Sequence, residues 1–176
     1  MQHIAFSLSA CARVVSTWFL LGRVPRAPGT VGSASALLFF PAIASGAGCG
    51  VFLAAGIFFL GLWSVTLYLR DNPEERDPAE IVIDEVCGQV LVFVIPSALA
   101  QGGVAFVHLP SGMLHKAVLL CMGFLSFRIF DIAKPWPVCV ADTRVSGALG
   151  VMLDDVVAAV LASIVCLAVA SAVSTV

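Results

Sequence analysis

Three long stretches without charged residues dominate the pattern of hydrophobic and polar positions along the chain. They cover residues 27–69, 86–115 and 156–176, and none of them contains a Lys, Arg, Asp or Glu. A transmembrane helix needs about 20 consecutive, mostly apolar residues. Because each stretch reaches that length, the pattern predicts a helical protein that is integral to a membrane.

Breaks within the first stretch predict two helices. Residues 27–69 are too many for one crossing, and they contain Pro41 and a glycine-rich break at 45–50. We therefore expect a short helix near 33–44, which is either re-entrant or a tightly packed crossing, and a full-length helix near 49–69.

The second half of the chain predicts three further helices and one long loop. The first helix begins near Pro78 and continues to about Ile95. The second covers about 113–133, where the sequence KPWP ends it, because the residue before a proline is driven out of the helical region. A loop then covers 134–153. The last helix begins near Asp154 and is rich in small residues that favour close helix packing.

The N-terminal segment differs from the predicted crossings because it carries charge and small polar residues. Residues 2–22 include Arg13, which favours an amphipathic, interfacial helix that ends at Gly22. Residues 23–36 contain two prolines and two glycines and predict a loop.

Together these elements predict an all-α fold, a small polytopic membrane helix bundle with charged residues clustered at helix ends on one face. We expect a single domain over residues 1–176. Within it, residues 1–33 form the interfacial helix and the PGTVGS loop, and residues 34–176 form the helical membrane core.

Composition and charge support this interpretation and add a topology. The chain is 60% hydrophobic and 11% charged, with a mean hydropathy of +1.06, whereas about a quarter of the residues in soluble domains are charged. All eleven acidic residues fall in two windows, 71–85 and 131–155. Two predicted crossings separate the windows, so both lie on the same face. Arg13, Arg23 and Arg26 favour the cytoplasmic face, and no basic tail indicates nucleic acid.

The sequence IVIDE at 81–85 is the first candidate for chemistry. Asp84 and Glu85 stand at the entry to a spanning helix, where carboxylates are costly unless they are solvated, paired or bound to a metal. Neighbours on a helix point about 100° apart. We therefore expect that the two do not face one partner and that they have different roles. Alternatively, both simply mark the membrane surface.

A second candidate is the charged end of the helix at 113–133. Arg128, Asp131 and Lys134 recur every three residues and so lie on one side of a helix. This arrangement fits a polar cavity in which the two cations hold a phosphate while Asp131 holds a metal or orients them. The alternative is an internally neutralised triad that only fixes the register of the helix.

Two further segments complete the candidates. Asp154 and Asp155 stand at the predicted start of the last helix, where the helix dipole favours carboxylates, but paired carboxylates also suit an octahedral Mg²⁺ site. In PGTVGS at 28–33, glycines let backbone amides approach an anion, and a helix that begins at Ser33 adds its dipole. The same residues also suit a tight turn in which Thr30 or Ser33 caps that helix.

These clusters suit two classes of protein. One is an enzyme that acts on a phosphorylated lipid headgroup through a divalent metal. The other is a cation- or proton-coupled transport protein that uses intramembrane carboxylates. Charges at helix ends favour the enzyme, and Arg128 and Lys134 suit a phosphate but oppose a cation pathway.

The same segments resemble successive blocks of the phosphatidylglycerophosphatase A family. The blocks occur in the family's order and read PGTVGS (28–33), IVIDEVCGQ (81–89), FRIFDIAKPWPV (127–138) and GALGVMLDDVVAAV (147–160). The resemblance implies a multi-pass enzyme of the bacterial inner membrane. It would hydrolyse the terminal phosphate of phosphatidylglycerophosphate, with Mg²⁺, to give phosphatidylglycerol and phosphate.

The chemistry of these side chains suggests a role for each. Five carboxylates are expected to supply the Mg²⁺ ligands and a general base: Asp84, Glu85, Asp131, Asp154 and Asp155. Arg128 and Lys134 neutralise the phosphate as charge develops in the transition state, so the expected catalytic residues are Asp84, Glu85, Arg128, Asp131 and Lys134. The rest of the phosphate-binding cradle comes from Thr30, Ser33, Gly29 and Gly32. Water is the favoured nucleophile, since no DxDx[TV] motif for an aspartyl-phosphate occurs.

Overall fold

The computed structural model describes residues 2–75, 77–102 and 112–174, and this part of the chain is helical and contains no strand. Its α-helices are α1 (Gln2–Ser16), α2 (Pro28–Ala36), α3 (Phe40–Ser45), α4 (Ala47–Asp71), α5 (Ile83–Gln101), α6 (Met113–Ala133), α7 (Val138–Arg144) and α8 (Gly147–Ser174). Short 3₁₀ turns occur at Leu21–Arg23 and Leu37–Phe39. The predicted all-α fold is confirmed.

Within the described residues, four segments are long and apolar enough to cross a bilayer. They are Pro28–Ser45, which joins α2 to α3, then α4, α5 and Gly147–Ala172 within α8. The first uncharged stretch therefore provides two candidate crossings, with the break at Gly46 between them. This confirms the membrane helix bundle. Two crossings in the first stretch would place residues 23–33 on the same face as the first acidic window.

Helix α5 lies at the centre of the bundle. It packs against α8, α4 and α2, and nearly all of its residues from Ile83 to Ser97 are buried. A helix that is apolar on all sides is expected in such a position. Close approach to α8 depends on Gly88, where a Cβ atom would lie 2.6 Å from the ring of Phe127 and 3.1 Å from the backbone oxygen of Asp155.

Several helix boundaries differ from the predictions. The helix predicted near 113–133 is confirmed as α6, but α5 begins at Ile83 rather than near Pro78 and continues past Pro96 to Gln101. The prediction of a loop over 134–153 was wrong, because this segment contains α7 and the first two turns of α8.

The predicted interfacial helix over residues 2–22 also ends early. Helix α1 stops at Ser16, where three successive residues, Trp18, Phe19 and Leu20, take positive φ angles. The chain is then anchored to the segment before α5, since the backbone N–H of Val82 donates to the Ser16 carbonyl at 3.1 Å.

Candidate active site

A polar cavity of about 330 Å³ lies at one end of the bundle. It is bounded by the start of α2, the segment before α5, the start of α5, the end of α6 and the third turn of α8. The polar residues that line it are Thr30, Asp77, Asp84, Glu85, Arg128, Asp131, Lys134, Asp154 and Asp155. Both acidic windows contribute, as expected if they lie on the same face.

Three carboxylates lie close together in this cavity. One oxygen each from Asp84, Glu85 and Asp155 lies within 4.8 Å of the other two. The expectation that Asp84 and Glu85 could not face one partner was wrong. Asp84 accepts a hydrogen bond of 3.0 Å from the backbone N–H of Glu85, which keeps its carboxylate beside the next residue, and the longer Glu85 side chain reaches the same space.

The carboxylate group fits a divalent cation. Glu85 Oε2 and Asp155 Oδ2 are buried and have no hydrogen-bond partner among the described residues, and the same holds for Asp154 Oδ1. Buried acceptors without a donor are costly, and carboxylates this close repel one another. Carboxylate oxygens are the ligands that Mg²⁺ prefers, so a bound cation would compensate both costs.

Arg128 lies beside the carboxylates, at the end of α6. Its Nη1 is 2.6 Å from Asp131 Oδ2 and 3.8 Å from Glu85 Oε1, and it donates to the hydroxyl of Ser33 at 3.3 Å. The arginine and both carboxylate side chains are only 13–16% exposed. The predicted pairing of Arg128 with Asp131 along one side of α6 is thus found, in a position where the guanidinium also faces the cavity.

Lys134 is separate from that pair. It follows α6 in a left-handed conformation (φ 43°, ψ 53°), and its Nζ lies 2.5 Å from Asp142 and 2.7 Å from Asp154. The prediction that Asp131 lies between Arg128 and Lys134 on one side of the helix is therefore wrong for Lys134. Burial acts to lower the pKa of this amine, but the hydrogen bonds to the two carboxylates outweigh burial and raise the pKa above its usual value.

The PGTVGS segment is the first part of a helix and not a loop. Helix α2 starts at Pro28, so the prediction that the helix begins at Ser33 and is capped by Thr30 or Ser33 was wrong. Pro28 suits the first turn, where its missing N–H is not needed. Thr30 and Gly29 line the cavity, whereas Gly32 packs against Val82 and lies outside the lining.

Gly29 and Ser33 both act on charged side chains of the cavity. A Cβ atom on Gly29 would lie 1.9 Å from Glu85 Oε1, so only glycine leaves room for that carboxylate. Ser33 is fully buried behind the cavity, where it donates to the Gly29 carbonyl and accepts from Arg128. It positions the guanidinium instead of lining the cavity.

Asp154 and Asp155 do not stand at a helix start. Because α8 begins at Gly147, they lie at the start of its third turn and are 7% and 3% exposed. The favourable effect of a helix dipole is confined to the first turn, so it does not explain their presence. Their place beside Glu85 and Lys134 does.

Two acidic residues of the site were not among the predicted site residues. Asp77 lines the cavity from the segment before α5, and Asp142 in α7 binds Lys134. Both belong to the acidic windows, which was the available signal, but no spacing distinguished them from solvated carboxylates.

The fold and the cavity define a polytopic helical membrane protein with a buried cluster of carboxylates and cations at one end of its bundle. The chain belongs to the phosphatidylglycerophosphatase A family, whose model matches residues 14–170.

Two relatives illustrate the similarity. The chain is 31% identical over 159 residues to the phosphatidylglycerophosphatase A of Haemophilus influenzae, an alignment that covers 89% of this chain and 86% of the relative. It is 49% identical over 41 residues to the phosphatidylglycerophosphatase A of Escherichia coli, which covers 23% of this chain and 24% of that protein. No solved structure matches the chain.

Proposed function

We propose that this protein hydrolyses the terminal phosphate monoester of phosphatidylglycerophosphate to give phosphatidylglycerol and inorganic phosphate. The observation that carries the proposal is the convergence of Asp84, Glu85 and Asp155 with Arg128 in one cavity at the end of a membrane helix bundle. A headgroup can enter this cavity while its acyl chains stay in the bilayer.

The proposal includes Mg²⁺ as the cofactor. Asp84, Glu85 and Asp155 would hold it, because their oxygens already lie within 4.8 Å of one another and two of those carboxylates have a buried oxygen without a partner among the described residues. When bound, Mg²⁺ supplies positive charge that polarises a phosphoryl oxygen.

Arg128 and Lys134 are the proposed phosphate-binding cations. Asp131 and Ser33 hold Arg128 from two sides, and Asp154 and Asp142 hold Lys134. Cations held in place in this way are already oriented for the charge that develops on the transferred phosphoryl group. Thr30 and the backbone of Gly29 complete the headgroup contacts at the start of α2, where free N–H groups favour an anion.

The general base comes from the two carboxylates outside the proposed metal set, Asp131 and Asp154. Each is paired with a cation, Asp131 with Arg128 and Asp154 with Lys134, and each lines the cavity, where a carboxylate can accept a proton from the attacking water. Asp131→Asn and Asp154→Asn should differ in their pH–rate profiles, since only the variant that lacks the base loses the acidic limb of the profile.

We further propose that the cavity opens at the cytoplasmic face of the bacterial inner membrane. Arg13 and Arg23 lie near the C-terminal end of α4, and the segment after α4 lines the cavity through Asp77 and Pro78. Basic residues concentrate on the cytoplasmic side of membrane proteins.

Phosphate release from short-chain phosphatidylglycerophosphate by the purified protein tests the proposal. Release that requires Mg²⁺ and stops in EDTA supports it. Undiminished release in EDTA would contradict the proposed metal dependence. Absence of release under all conditions would contradict the proposed function. Ion flux in proteoliposomes without lipid hydrolysis would instead support the transport alternative, although the charges described here gather at one end of the bundle.

A further inference from the structure

A second polar cavity, of about 590 Å³, lies between α1 and the C-terminal end of α4. Its lining includes Arg13, Arg23 and Arg70, together with Asp71, Val14 and Leu20. We call it the arginine groove. It is separate from the candidate active site, because the two linings share no residue.

The arginine groove carries a surplus of positive charge. Three guanidinium groups face one carboxylate in the lining, that of Asp71, which is 3.5 Å from Arg70 Nε. Arg23 also pairs with Glu80 at 3.3 Å, while the Arg13 guanidinium lies over the ring of Tyr68, 5.7 Å from its centroid.

These guanidinium groups remain open to a ligand. The side chains of Arg23 and Arg70 are 49% and 63% exposed. Guanidinium groups are well suited to phosphate because they can donate two parallel hydrogen bonds. A single phosphodiester therefore matches the charge of the groove.

The position of the groove identifies the source of that phosphate. Arg70 is in the last turn of α4, a 25-residue apolar helix, so the groove lies at the depth where lipid headgroups meet water. The adjoining turn exposes Phe19 and Leu20, which are 68% and 47% exposed. Aromatic and apolar side chains beside basic ones are typical of the membrane interface.

We propose that the arginine groove binds the phosphodiester headgroup of an anionic phospholipid, at a site additional to the catalytic cavity. The guanidinium groups hold the phosphate, and Val14 and Leu20 contact the glycerol and the first acyl carbons. A soluble phosphate fits less well, because it gains nothing from these apolar contacts.

Lipid binding to the full-length protein in an uncharged detergent tests the proposal, with native mass spectrometry as the measurement. Phosphatidylserine is the anionic probe, because it is not the product of the proposed reaction, and phosphatidylcholine is the zwitterionic reference. The variant is Arg13→Gln with Arg70→Gln. The control is Arg144→Gln, which removes an exposed arginine at the end of α7, outside the groove.

The wild-type protein should bind phosphatidylserine more tightly than phosphatidylcholine. The double variant should bind phosphatidylserine about 30-fold more weakly. Phosphatidylcholine, whose choline offsets the charge of its phosphate, should lose less affinity, and hydrolysis of a short-chain substrate should be unchanged. The control should behave as wild type. High salt should weaken phosphatidylserine binding to the wild type, a result that does not depend on the folding of any variant.

Equal binding of the two lipids by the wild type would overturn the proposal. So would unchanged phosphatidylserine binding in the double variant, an equal loss in the control, or insensitivity to salt. Displacement of the lipid by excess inorganic phosphate would show a site for soluble anions and would overturn the assignment to a lipid.

Discussion

Gly29→Ala tests how the start of α2 holds the Glu85 carboxylate. A Cβ atom at this position would lie 1.9 Å from Glu85 Oε1 and 3.3 Å from Arg128 Nη2, whereas ordinary contacts begin at 3.4 Å. The Glu85 oxygen must therefore move by about 1.5 Å, the difference between these distances.

The structural cost of that movement is small, but its effect on activity is large. Glu85 ends in a flexible side chain that can move, and Ala is a better helix former than Gly by about 0.5–1 kcal/mol. A misplacement of 1 Å at a reacting centre costs about 100-fold in rate. We therefore expect hydrolysis to fall about 100-fold, with thermal stability equal to that of the wild type or slightly higher.

The assay is phosphate release at saturating Mg²⁺, combined with thermal unfolding in detergent. Gly56→Ala is the matched control, because this glycine lies in α4 and, in the described part of the chain, only the neighbouring backbone of its own helix comes within 4 Å of the added Cβ. It should leave activity unchanged. Activity of Gly29→Ala above a third of the wild-type value would refute the reasoning, as would a fall in stability large enough to explain the lost activity.

Three further predictions address the carboxylates, the lysine and the packing of the core. Asp155→Asn should abolish stabilisation by Mg²⁺. It should also raise the unfolding temperature in EDTA, because it relieves repulsion with Asp84 and Glu85. If Mg²⁺ raised the unfolding temperature of this variant as much as that of the wild type, the proposed ligand set would be contradicted. The pKa of Lys134 is raised in the folded protein, so its ion pairs stabilise the fold fully below the unfolded pKa of 10.5 and are lost as pH rises through the folded pKa. Thermal stability above pH 10.5 should therefore fall more steeply in the wild type than in Lys134→Arg, which stays charged. Parallel curves of stability against pH would refute this. Gly88→Ala should destabilise the folded protein by about 1–3 kcal/mol, because the added Cβ lies 2.6 Å from a ring carbon of Phe127. Thermal unfolding measures this loss, and an unchanged unfolding temperature would contradict the prediction.

The sequence was most informative where a single physical rule applied without competition. The uncharged stretches predicted the membrane helices, and KPWP predicted the end of α6 at Ala133, since proline removes a donor and restricts its neighbour. Predictions failed where glycine had two possible meanings. Gly29 and Gly147 were interpreted as parts of loops, but both lie in the first turn of a helix.

The residue types predicted which side chains belong to the site, but they did not predict which side chains pair with one another. Arg128, Asp131 and Lys134 follow one another at intervals of three residues. Arg128 pairs with Asp131, but Lys134 pairs with Asp142 and Asp154 instead. Periodicity describes only residues on one helix. Lys134 follows the helix in a left-handed conformation, and its partners come from α7 and α8.

The pair Asp84 and Glu85 shows the division between sequence and structure most clearly. The sequence alone determined that two carboxylates stand at the entry to a membrane helix, because charge and hydropathy are properties of the chain. Only the tertiary structure decided that both face Asp155, with Gly29 leaving room for Glu85. Such a cluster depends on how closely α2, α5 and α8 approach one another, and that distance is set by packing between segments far apart in sequence.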